Sequence, residues 1–239
     1  MAMRILITND DGINAPGLRA LVDWAKKLGE VEVFAPKVEQ SGKSAGLELR
    51  KPFHVEKVEY EGVDEAYAVD STPVDCVRIA VLGLGRKYDL VLSGVNSGMN
   101  LGHDINYSGT CGAVFEAAML GIKGIATSAG KKGLPGAIAN FDRVYDYFIE
   151  HDLLSVCDTY NVNFPRHPGE IVIARQGGVR FSDRYIDQGD GMYFPEGYIC
   201  YELRDDKTID IDAMEMDFIS IVPMTYDRTD LRAFEKLVR

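Results

Sequence analysis

Two adjacent carboxylates, Asp10 and Asp11, stand directly after a short apolar run at residues 4–8. Carboxylate oxygens suit hard cations, and Mg²⁺ usually takes one or two of them while water and phosphate oxygens complete its octahedron. Gly12 permits a sharp corner that would turn both carboxylates toward one point. Asn9 could orient the pair or donate to a phosphate oxygen. The alternative is an Asx turn, in which these side chains cap the loop or the following helix.

A second polar segment, residues 40–46, combines two hydroxyls with two glycines. Backbone amides in such a loop can cradle an anion, and a serine hydroxyl can bind a metal. Lys43 and Ser44 lack the preceding glycine spacing of a Walker loop, and no predicted strand runs directly into a helix here. By itself this segment favours a flexible surface loop.

A third segment, residues 93–110, is rich in glycine, asparagine and hydroxyl side chains. Its glycines allow unusual backbone angles, and its amides and hydroxyls supply neutral donors and acceptors. Ser108, Gly109 and Thr110 come directly before a predicted helix, where backbone amides and the helix dipole favour a phosphate. A polar loop this long within a compact domain is usually functional, with a disordered lid as the alternative.

The elements that would position these segments alternate between strand and helix. Apolar periodicity predicts strands at 4–8, 31–36, 66–69, 90–93 and 124–127, with helices at 18–28, 72–84 and 113–120. Such alternation builds right-handed crossovers of a parallel sheet. We therefore predict an α/β fold, a Rossmann-like doubly wound, mostly parallel sheet with helices on both faces. Ligands of such sheets bind beyond the carboxyl ends of the strands.

The pattern changes beyond about residue 165. Residues 170–180, 192–203 and 218–223 are typical of strands separated by acidic, glycine-bearing loops, which predicts hairpins and no further crossovers. We divide the chain into an α/β catalytic core, residues 1–165, and a β-rich C-terminal extension, residues 166–239, packed on the same domain.

An aromatic ribbon in this extension needs a cover. Tyr193, Phe194, Tyr198 and Tyr201 would leave apolar surface on a hairpin that is marginal in water by itself. Either a partner subunit or the remainder of the same domain could bury it.

Composition excludes several classes of protein. With 37 acidic against 26 basic residues the net charge is −11, which does not attract a nucleic acid polymer, so an anionic substrate must be small. No apolar run approaches the roughly 20 residues of a membrane span and no leader pattern is evident, so we expect a cytoplasmic protein. The four cysteines are scattered and the four histidines isolated, which argues for reduced thiols and against a histidine-rich zinc hydrolase.

The three polar segments together resemble the SurE (survival protein E) nucleotidase family. Separated motifs occur in the family's order within about residues 4–130, which makes the resemblance specific. They are Ile7-Thr8-Asn9-Asp10-Asp11-Gly12; Ser41-Gly42 with Ser44; Ser93-Gly94-Val95-Asn96 with Gly98, Asn100 and Gly102; and Tyr107-Ser108-Gly109-Thr110. Residues 72–76, 161–165 and 220–223 are similar more weakly.

This resemblance implies one divalent metal ion, Mg²⁺ or Mn²⁺, and a set of residues around it. The implied metal ligands are Asp10, Asp11, Ser41 and Asn96, with the two aspartates also catalytic. The implied phosphate and substrate contacts are Asn9, Gly42, Asn100, Ser108, Gly109 and Thr110. Cys111 and Gly112 stand where the family more commonly has an aliphatic and a small residue, a change that touches packing behind the phosphate loop.

The resemblance also implies an activity and an assembly. Members release phosphate from nucleoside 5′- and 3′-monophosphates, some cleave short polyphosphate, and they form dimers or tetramers by exchanging C-terminal segments. The exchange fits the uncovered aromatic ribbon. We accordingly predict a phosphomonoesterase that assembles as a homodimer or homotetramer.

Two alternatives concern the chemistry. Water is favoured as the attacking group, with Asp10 or Asp11 accepting its proton, over direct attack by an aspartate carboxylate.

The rival function is a non-catalytic Mg²⁺-binding receiver-like or nucleotide-binding module. A receiver would need an aspartate after the third strand and a lysine after the fifth, where Ser93-Gly94 and Thr127-Ser128 stand instead. A dinucleotide oxidoreductase lacks its glycine fingerprint after the first strand.

Overall fold

The structure of the protein is a computed structural model, and it describes residues 2–130 and 132–238. The strands are β1 (Met3–Thr8), β2 (Gly29–Pro36), β3 (Val55–Lys57), β4 (Ala66–Val69), β5 (Leu90–Ser97), β6 (Lys123–Ala129), β7 (Thr159–Phe164), β8 (Ile171–Ile173), β9 (Phe181–Gly189), β10 (Met192–Ile199) and β11 (Ile219–Met224). The α-helices are α1 (Pro16–Ala25), α2 (Pro73–Arg78), α3 (Gly109–Met119), α4 (Leu134–Glu150), α5 (Leu153–Val156), α6 (Asp210–Glu215) and α7 (Leu231–Leu237).

A nine-stranded sheet forms the centre, in the order β3-β4-β2-β1-β5-β6-β7-β11-β8. The six strands from β4 to β7 run parallel to one another, whereas β3 and β11 pair antiparallel with their neighbours β4 and β7. From β1 the chain moves outward to β2 and β4, then returns to the other side at β5. This confirms the predicted doubly wound α/β fold, and it places the topological switch point between β1 and β5, where such folds bind ligands.

Strand β1 is buried on both faces, which explains its continuous apolar sequence. Ile5 and Ile7 pack into one core cluster, and Leu6 packs into a second cluster on the opposite face of the sheet. Alternate residues of a strand point to opposite faces, so one run supplies both layers. The strand thus holds the following turn rigidly at the carboxyl edge.

Helix α1 packs tightly on the end of β5 through a glycine. A Cβ atom added to Gly17 would lie 2.0 Å from the carbonyl oxygen of Val95. Pro16 starts the helix, and Leu18, Leu21 and Val22 are among its buried residues. This contact fixes the distance between the first turn of α1 and the carboxyl end of β5.

Two boundaries near the predicted site differ from the sequence prediction. Strand β5 continues to Ser97 instead of ending at residue 93, because Asn96 and Ser97 still pair with Ser128 and Ala129 of β6. Helix α3 begins at Gly109 instead of residue 113, because the Ser108 side chain accepts a hydrogen bond from the Cys111 N–H and caps it. A 3₁₀ helix, Gly102–Tyr107, fills part of the loop between them.

The C-terminal strands agree with the prediction only in part. The strand expected at 170–180 is reduced to β8, whereas residues 181–189, expected as a loop, form β9 and pair antiparallel with β10. The region contains a hairpin, as predicted, but β9 and β10 form it, and 170–180 does not take part. Strands β8 and β11 pair in parallel within the main sheet, so hairpins do not account for the whole region. Nearly all of β9 is exposed, so burial imposes no apolar alternation on its sequence.

Helix α4 has 17 residues and lies in a region without a diagnostic sequence motif. Within residues 2–130 and 132–238, no helix combines the length and the apolar character that crossing a membrane requires.

Candidate active site at the switch point

The corner after β1 is built by Asn9. Its side-chain Oδ1 accepts the Gly12 N–H at 3.1 Å, and its Nδ2 donates to the Gly12 carbonyl at 3.0 Å. Gly12 has a φ of +102°, a conformation that favours glycine. Asn9 is fully buried and therefore holds the turn that carries both aspartates.

Asp10 points toward the first turn of α3. Its Oδ2 accepts the Thr110 N–H at 3.2 Å, and its Oδ1 accepts a hydrogen bond from the Thr110 hydroxyl. The side chain is 3% exposed, and this burial raises the pKa of Asp10 while the hydrogen bonds from Thr110 act in the opposite direction. The N-terminus of α3 thus receives a carboxylate from within the protein.

Asp11 points toward the end of β5 instead. Its Oδ2 accepts the Ser97 N–H at 2.8 Å. Burial raises the pKa of Asp11; the Ser97 N–H lowers it, and the nearby charges of Asp10 and Glu39 raise it. The two aspartates are therefore each fixed by a different part of the third polar segment.

The second polar segment reaches the site through its backbone. The Gln40 N–H donates to the Asp10 carbonyl oxygen at 2.7 Å. The next residue, Ser41, is exposed and donates its hydroxyl to Glu39 at 2.7 Å. Gly42 is exposed with a φ of +73°, and a Cβ there would meet no atom within 4 Å. Sequence reasoning missed Glu39, which belongs to none of the motifs although it lies two positions before Ser41.

Residues 40–46 are docked onto the third polar segment. The Ser44 hydroxyl donates to the Asn106 carbonyl at 2.7 Å, and the Ser44 N–H donates to the Tyr107 carbonyl at 3.0 Å. A Cβ on Gly112 would lie 2.6 Å from the Ser44 carbonyl oxygen, which explains the small residue there. The segment is therefore anchored, where its composition alone favoured a free surface loop.

Asn96 lies at the end of β5 beside Ser128 of β6. Its Nδ2 donates to the Gly98 carbonyl at 2.9 Å. In the part of the chain that the structure describes, its Oδ1 accepts no hydrogen bond, so this oxygen is available to a ligand. A Cβ on Gly94 would lie 2.3 Å from the Thr127 carbonyl oxygen, so glycine is required for β5 to pass this close to β6.

Asn100 belongs to a buried network of amides. Its Nδ2 donates to the Ser128 hydroxyl at 2.8 Å, and its backbone N–H donates to Asn163 Oδ1 at 3.0 Å. Its carbonyl accepts from the side chains of Asn161 and Asn163. These polar atoms are paired inside the protein, as buried polar atoms must be. Sequence reasoning missed Ser128, and it noted Asn161 and Asn163 only as a weak family similarity.

The start of α3 places Gly109 directly against Asp10. A Cβ on Gly109 would lie 3.0 Å from the Asp10 Cβ and 3.2 Å from Pro73. Cys111 behind this turn is buried, and burial raises the pKa of its thiol to about 12, so it is a packing residue. Ser108, Gly109 and Thr110 thus position Asp10 and its helix, and their predicted phosphate contacts stay a prediction.

A cavity of about 300 Å³ lies beside Asp11. It is lined by Asp11, Ala15, Pro16, Gly17, Val95, Asn96, Ser97, Ala129, Gly130 and Leu134. A larger cavity of about 710 Å³ has none of the predicted site residues in its lining, which comes from residues 156–159 and 224–228. Of these two cavities, the one beside Asp11 is therefore the one that adjoins the switch point.

The donor set around Asp10 and Asp11 fits a hard divalent cation. Neither carboxylate forms an ion pair with a basic side chain of residues 2–130 and 132–238. Those residues also contain no group of three or more His, Cys, Asp or Glu suited to a metal, and the predicted set needs only two. Two unpaired acids beside an amide oxygen suit Mg²⁺ or Mn²⁺ better than zinc.

Fold and site together define a doubly wound α/β protein with an oxygen-rich acidic centre at its switch point. The family profile described as Survival protein SurE matches residues 5–183. The 5′-nucleotidase SurE 1 of Thermus thermophilus is 37% identical, with 95% of this chain and 93% of that one covered. The 5′-nucleotidase SurE of Geotalea uraniireducens is 36% identical, with 99% and 98% covered.

A solved structure gives the same result. The crystal structure of the SurE protein from Aquifex aeolicus superposes with a TM-score of 0.76 at 30% sequence identity, covering 98% of both chains. The chain belongs to the SurE family, as its four motifs predict.

Proposed function

We propose that this chain is a phosphoric monoester hydrolase that converts nucleoside 5′-monophosphates, and also 3′-monophosphates, to nucleoside and phosphate, with short polyphosphate as a further substrate. The observation that carries the proposal is the pair Asp10 and Asp11 at the switch point, held by Thr110 and Ser97 and lacking a cationic partner in the described ranges. Family membership and the names of the relatives support it.

The proposed metal ligands are Asp10, Asp11, Ser41 and Asn96, with Mg²⁺ or Mn²⁺ as the ion. When bound, such an ion supplies neutralisation of charge on the transferring phosphoryl group and a more acidic water. Asn96 Oδ1 and the two carboxylates come from segments joined by hydrogen bonds, which supports a preformed site. Ser41 donates its hydroxyl to Glu39 and is the most exposed of the four proposed metal ligands.

The proposed attacking group is water. Both oxygens of Asp10 accept hydrogen bonds from Thr110, whereas Asp11 uses one oxygen for Ser97, which leaves its other oxygen better placed to accept a proton. The stereochemical course at phosphorus, followed with a substrate chiral at that atom, separates this from attack by an aspartate. Inversion supports a single displacement by water, and net retention, which two displacements through a phosphoaspartate would give, overturns it.

The six proposed phosphate and substrate residues divide into three kinds. Asn9, Asn100 and Ser108 already bind backbone or buried groups, so their contribution is to shape the loops. Gly42 is exposed and has open space at its Cβ position, so its backbone amide can approach an anion. Gly109 packs against Asp10, and Thr110 already donates to Asp10, so the contribution of these two is to hold that carboxylate.

The proposed assembly is a homodimer or homotetramer formed through the C-terminal extension, residues 166–239. The β9–β10 hairpin is a separate two-stranded sheet, and Tyr185, Tyr193, Phe194 and Tyr198 are exposed on it. A two-stranded hairpin is marginal in water, so a second copy of the chain is the proposed cover. Light scattering tests this: the double variant Tyr193→Ser/Phe194→Ser should become a monomer, and an unchanged oligomer overturns the role of the hairpin.

One assay tests the activity. Phosphate release from AMP, GMP and p-nitrophenyl phosphate is measured with Mg²⁺ or Mn²⁺, after chelation, and for Asp10→Asn. We expect release only by the metal-loaded wild-type protein. Full activity of the chelated protein or of the variant contradicts the metal assignment, and metal binding without any phosphate release supports the receiver-like alternative. The cytoplasmic location and the division at residue 165 stay predictions.

A further inference from the structure

The cavity beside Asp11 has one polar end and an otherwise apolar lining. Asp11, Asn96 and Ser97 are its polar residues, and they adjoin one another because the Ser97 N–H donates to Asp11. The rest of the lining is apolar or glycine: Ala15, Pro16, Gly17, Val95, Ala129, Gly130 and Leu134. The cavity therefore begins at the acidic centre and continues between the start of α1, the end of β5 and the segment from β6 to α4.

The lining residues that the structure describes offer an anion no cationic side chain. Within residues 2–130 and 132–238, none of the ten lining residues is Lys, Arg or His, and the carboxylate of Asp11 is the one charged side chain among them. A phosphate or a polyphosphate chain needs cationic side chains or converging N–H groups. An uncharged group with apolar faces and a polar edge matches the cavity instead. Its volume of about 300 Å³ is at the small end for ligand pockets, which suits one ring system.

The position of the cavity separates it from the predicted phosphate loop. Asp10 faces Gly109 and Thr110 at the start of α3, whereas Asp11 faces Ser97 and the cavity. A phosphate ester bound at the two aspartates would therefore have this cavity next to it on the Asp11 side.

We propose that this cavity is the subsite for the nucleoside, with the base between Leu134 on one element and Pro16 and Val95 on the others. The proposal rests on the nucleotidase function proposed above and assigns the residues that distinguish a nucleotide from inorganic phosphate compounds. Leu134 is a specificity-determining residue: it is half-buried, packs against the main core and contributes an apolar face to the cavity.

Helix α4 offers a matched control. Ile138 lies one turn after Leu134, is 49% exposed and does not line the cavity. Leu134→Ala and Ile138→Ala therefore shorten an aliphatic side chain on the same helix, and only the first changes the cavity. Thermal unfolding of both variants confirms that each is folded at the assay temperature.

The test uses the two products as separate inhibitors of AMP hydrolysis by the Mn²⁺-loaded full chain. Adenosine reports on the nucleoside subsite and inorganic phosphate on the phosphate site. Leu134→Ala should weaken inhibition by adenosine and raise KM for AMP about tenfold, with inhibition by phosphate unchanged within about twofold. Ile138→Ala should change neither inhibitor.

Several outcomes overturn the proposal. Adenosine that fails to inhibit the wild-type protein, equal adenosine inhibition of Leu134→Ala and wild type, or equal weakening of both inhibitors in Leu134→Ala each removes the cavity as the nucleoside subsite. Failure of the wild-type protein to hydrolyse AMP instead contradicts the proposed function itself, so the two failures are distinguishable.

Discussion

Thr110 donates both its backbone N–H and its hydroxyl to the carboxylate of Asp10, a residue 100 positions earlier in the chain. This contact joins the end of β1 to the start of α3 and fixes the orientation of one aspartate. The second aspartate, Asp11, is fixed in the same manner by the Ser97 N–H at the end of β5. The acidic centre is therefore oriented by backbone and side-chain donors of a single long segment.

The hydroxyl of Thr110 gives a first prediction. Thr110→Val keeps the shape and the backbone N–H but removes the hydroxyl donor to Asp10. Because partners that orient a metal ligand typically contribute about 10- to 100-fold to metal affinity or activity, we expect a loss of that size in kcat/KM or in Mn²⁺ affinity. Thr110→Ser restores the hydroxyl and should recover most of the loss. Equal activity of the valine variant and the wild type contradicts the positioning role.

The close packing of Gly109 gives a second prediction. A Cβ at Gly109 lies 3.0 Å from the Asp10 Cβ and 3.2 Å from Pro73, so Gly109→Ala must displace Asp10, Pro73 or α3. We expect kcat/KM to fall by about tenfold or more, since a misplacement near 1 Å is costly in an active site. The control is Gly178→Ala, where a Cβ meets no atom within 4 Å. A fully active Gly109→Ala enzyme contradicts this account.

The buried amide network gives a third prediction. Asn163→Ala removes both the acceptor of the Asn100 N–H and a donor to the Asn100 carbonyl. Each buried group left unsatisfied costs about 1–3 kcal/mol, so the free energy of unfolding should fall by at least that amount. Denaturant titration measures the loss, and Asn14→Ala at an exposed position serves as the control. A change below about 0.5 kcal/mol in Asn163→Ala shows that water replaces these bonds.

The buried carboxyl of Asp210 gives a prediction for pH. Burial raises the pKa of Asp210 above its ordinary value of 3.8, against three backbone N–H groups that lower it. The folded protein therefore binds this proton more tightly than the unfolded chain, and stability from Asp210 is present below pH 3.8 and is lost as the pH rises through the raised value.

Comparison with Asp210→Asn isolates this contribution. Because the asparagine does not titrate, the free energy of unfolding of the variant relative to the wild type should rise as the pH increases from below 3.8 through the raised pKa of Asp210. Chemical denaturation at a series of pH values measures the difference. If the free energy of unfolding of the variant instead falls relative to the wild type as the pH rises, the hydrogen bonds from Gly102, Gly177 and Ile211 have a larger effect on the pKa of Asp210 than burial has.

Much of the centre could be predicted from local sequence. The apolar run of β1 followed by Asp10, Asp11 and Gly12 indicated a buried strand ending in an acidic corner, and the alternation of elements indicated the doubly wound sheet. These features depend on neighbours in the chain, where period and turn chemistry act directly.

Other features depend on contacts between distant residues. Nothing near Ser128 in the sequence indicates that it meets Asn100, 28 positions earlier. Strand β9 is exposed on nearly all of its length, so its pairing with β10 imposes no apolar alternation, and its sequence predicts a loop. Residues 40–46 looked like a free loop because their anchors, Asn106 and Tyr107, lie about 60 positions away.

The central claim is that Asp10 and Asp11 bind a divalent metal ion that AMP hydrolysis requires. Mn²⁺ binding is measured by calorimetric titration, and phosphate release from AMP is measured in parallel, for the wild type, Asp11→Asn and Asp142→Asn. Asp142→Asn is the control, because the Asp142 carboxylate is exposed and accepts hydrogen bonds from Trp24 and Lys27. We predict that Asp11→Asn loses Mn²⁺ binding and at least about a hundredfold in kcat/KM, while Asp142→Asn keeps both. Wild-type Mn²⁺ affinity and activity in Asp11→Asn would contradict the account.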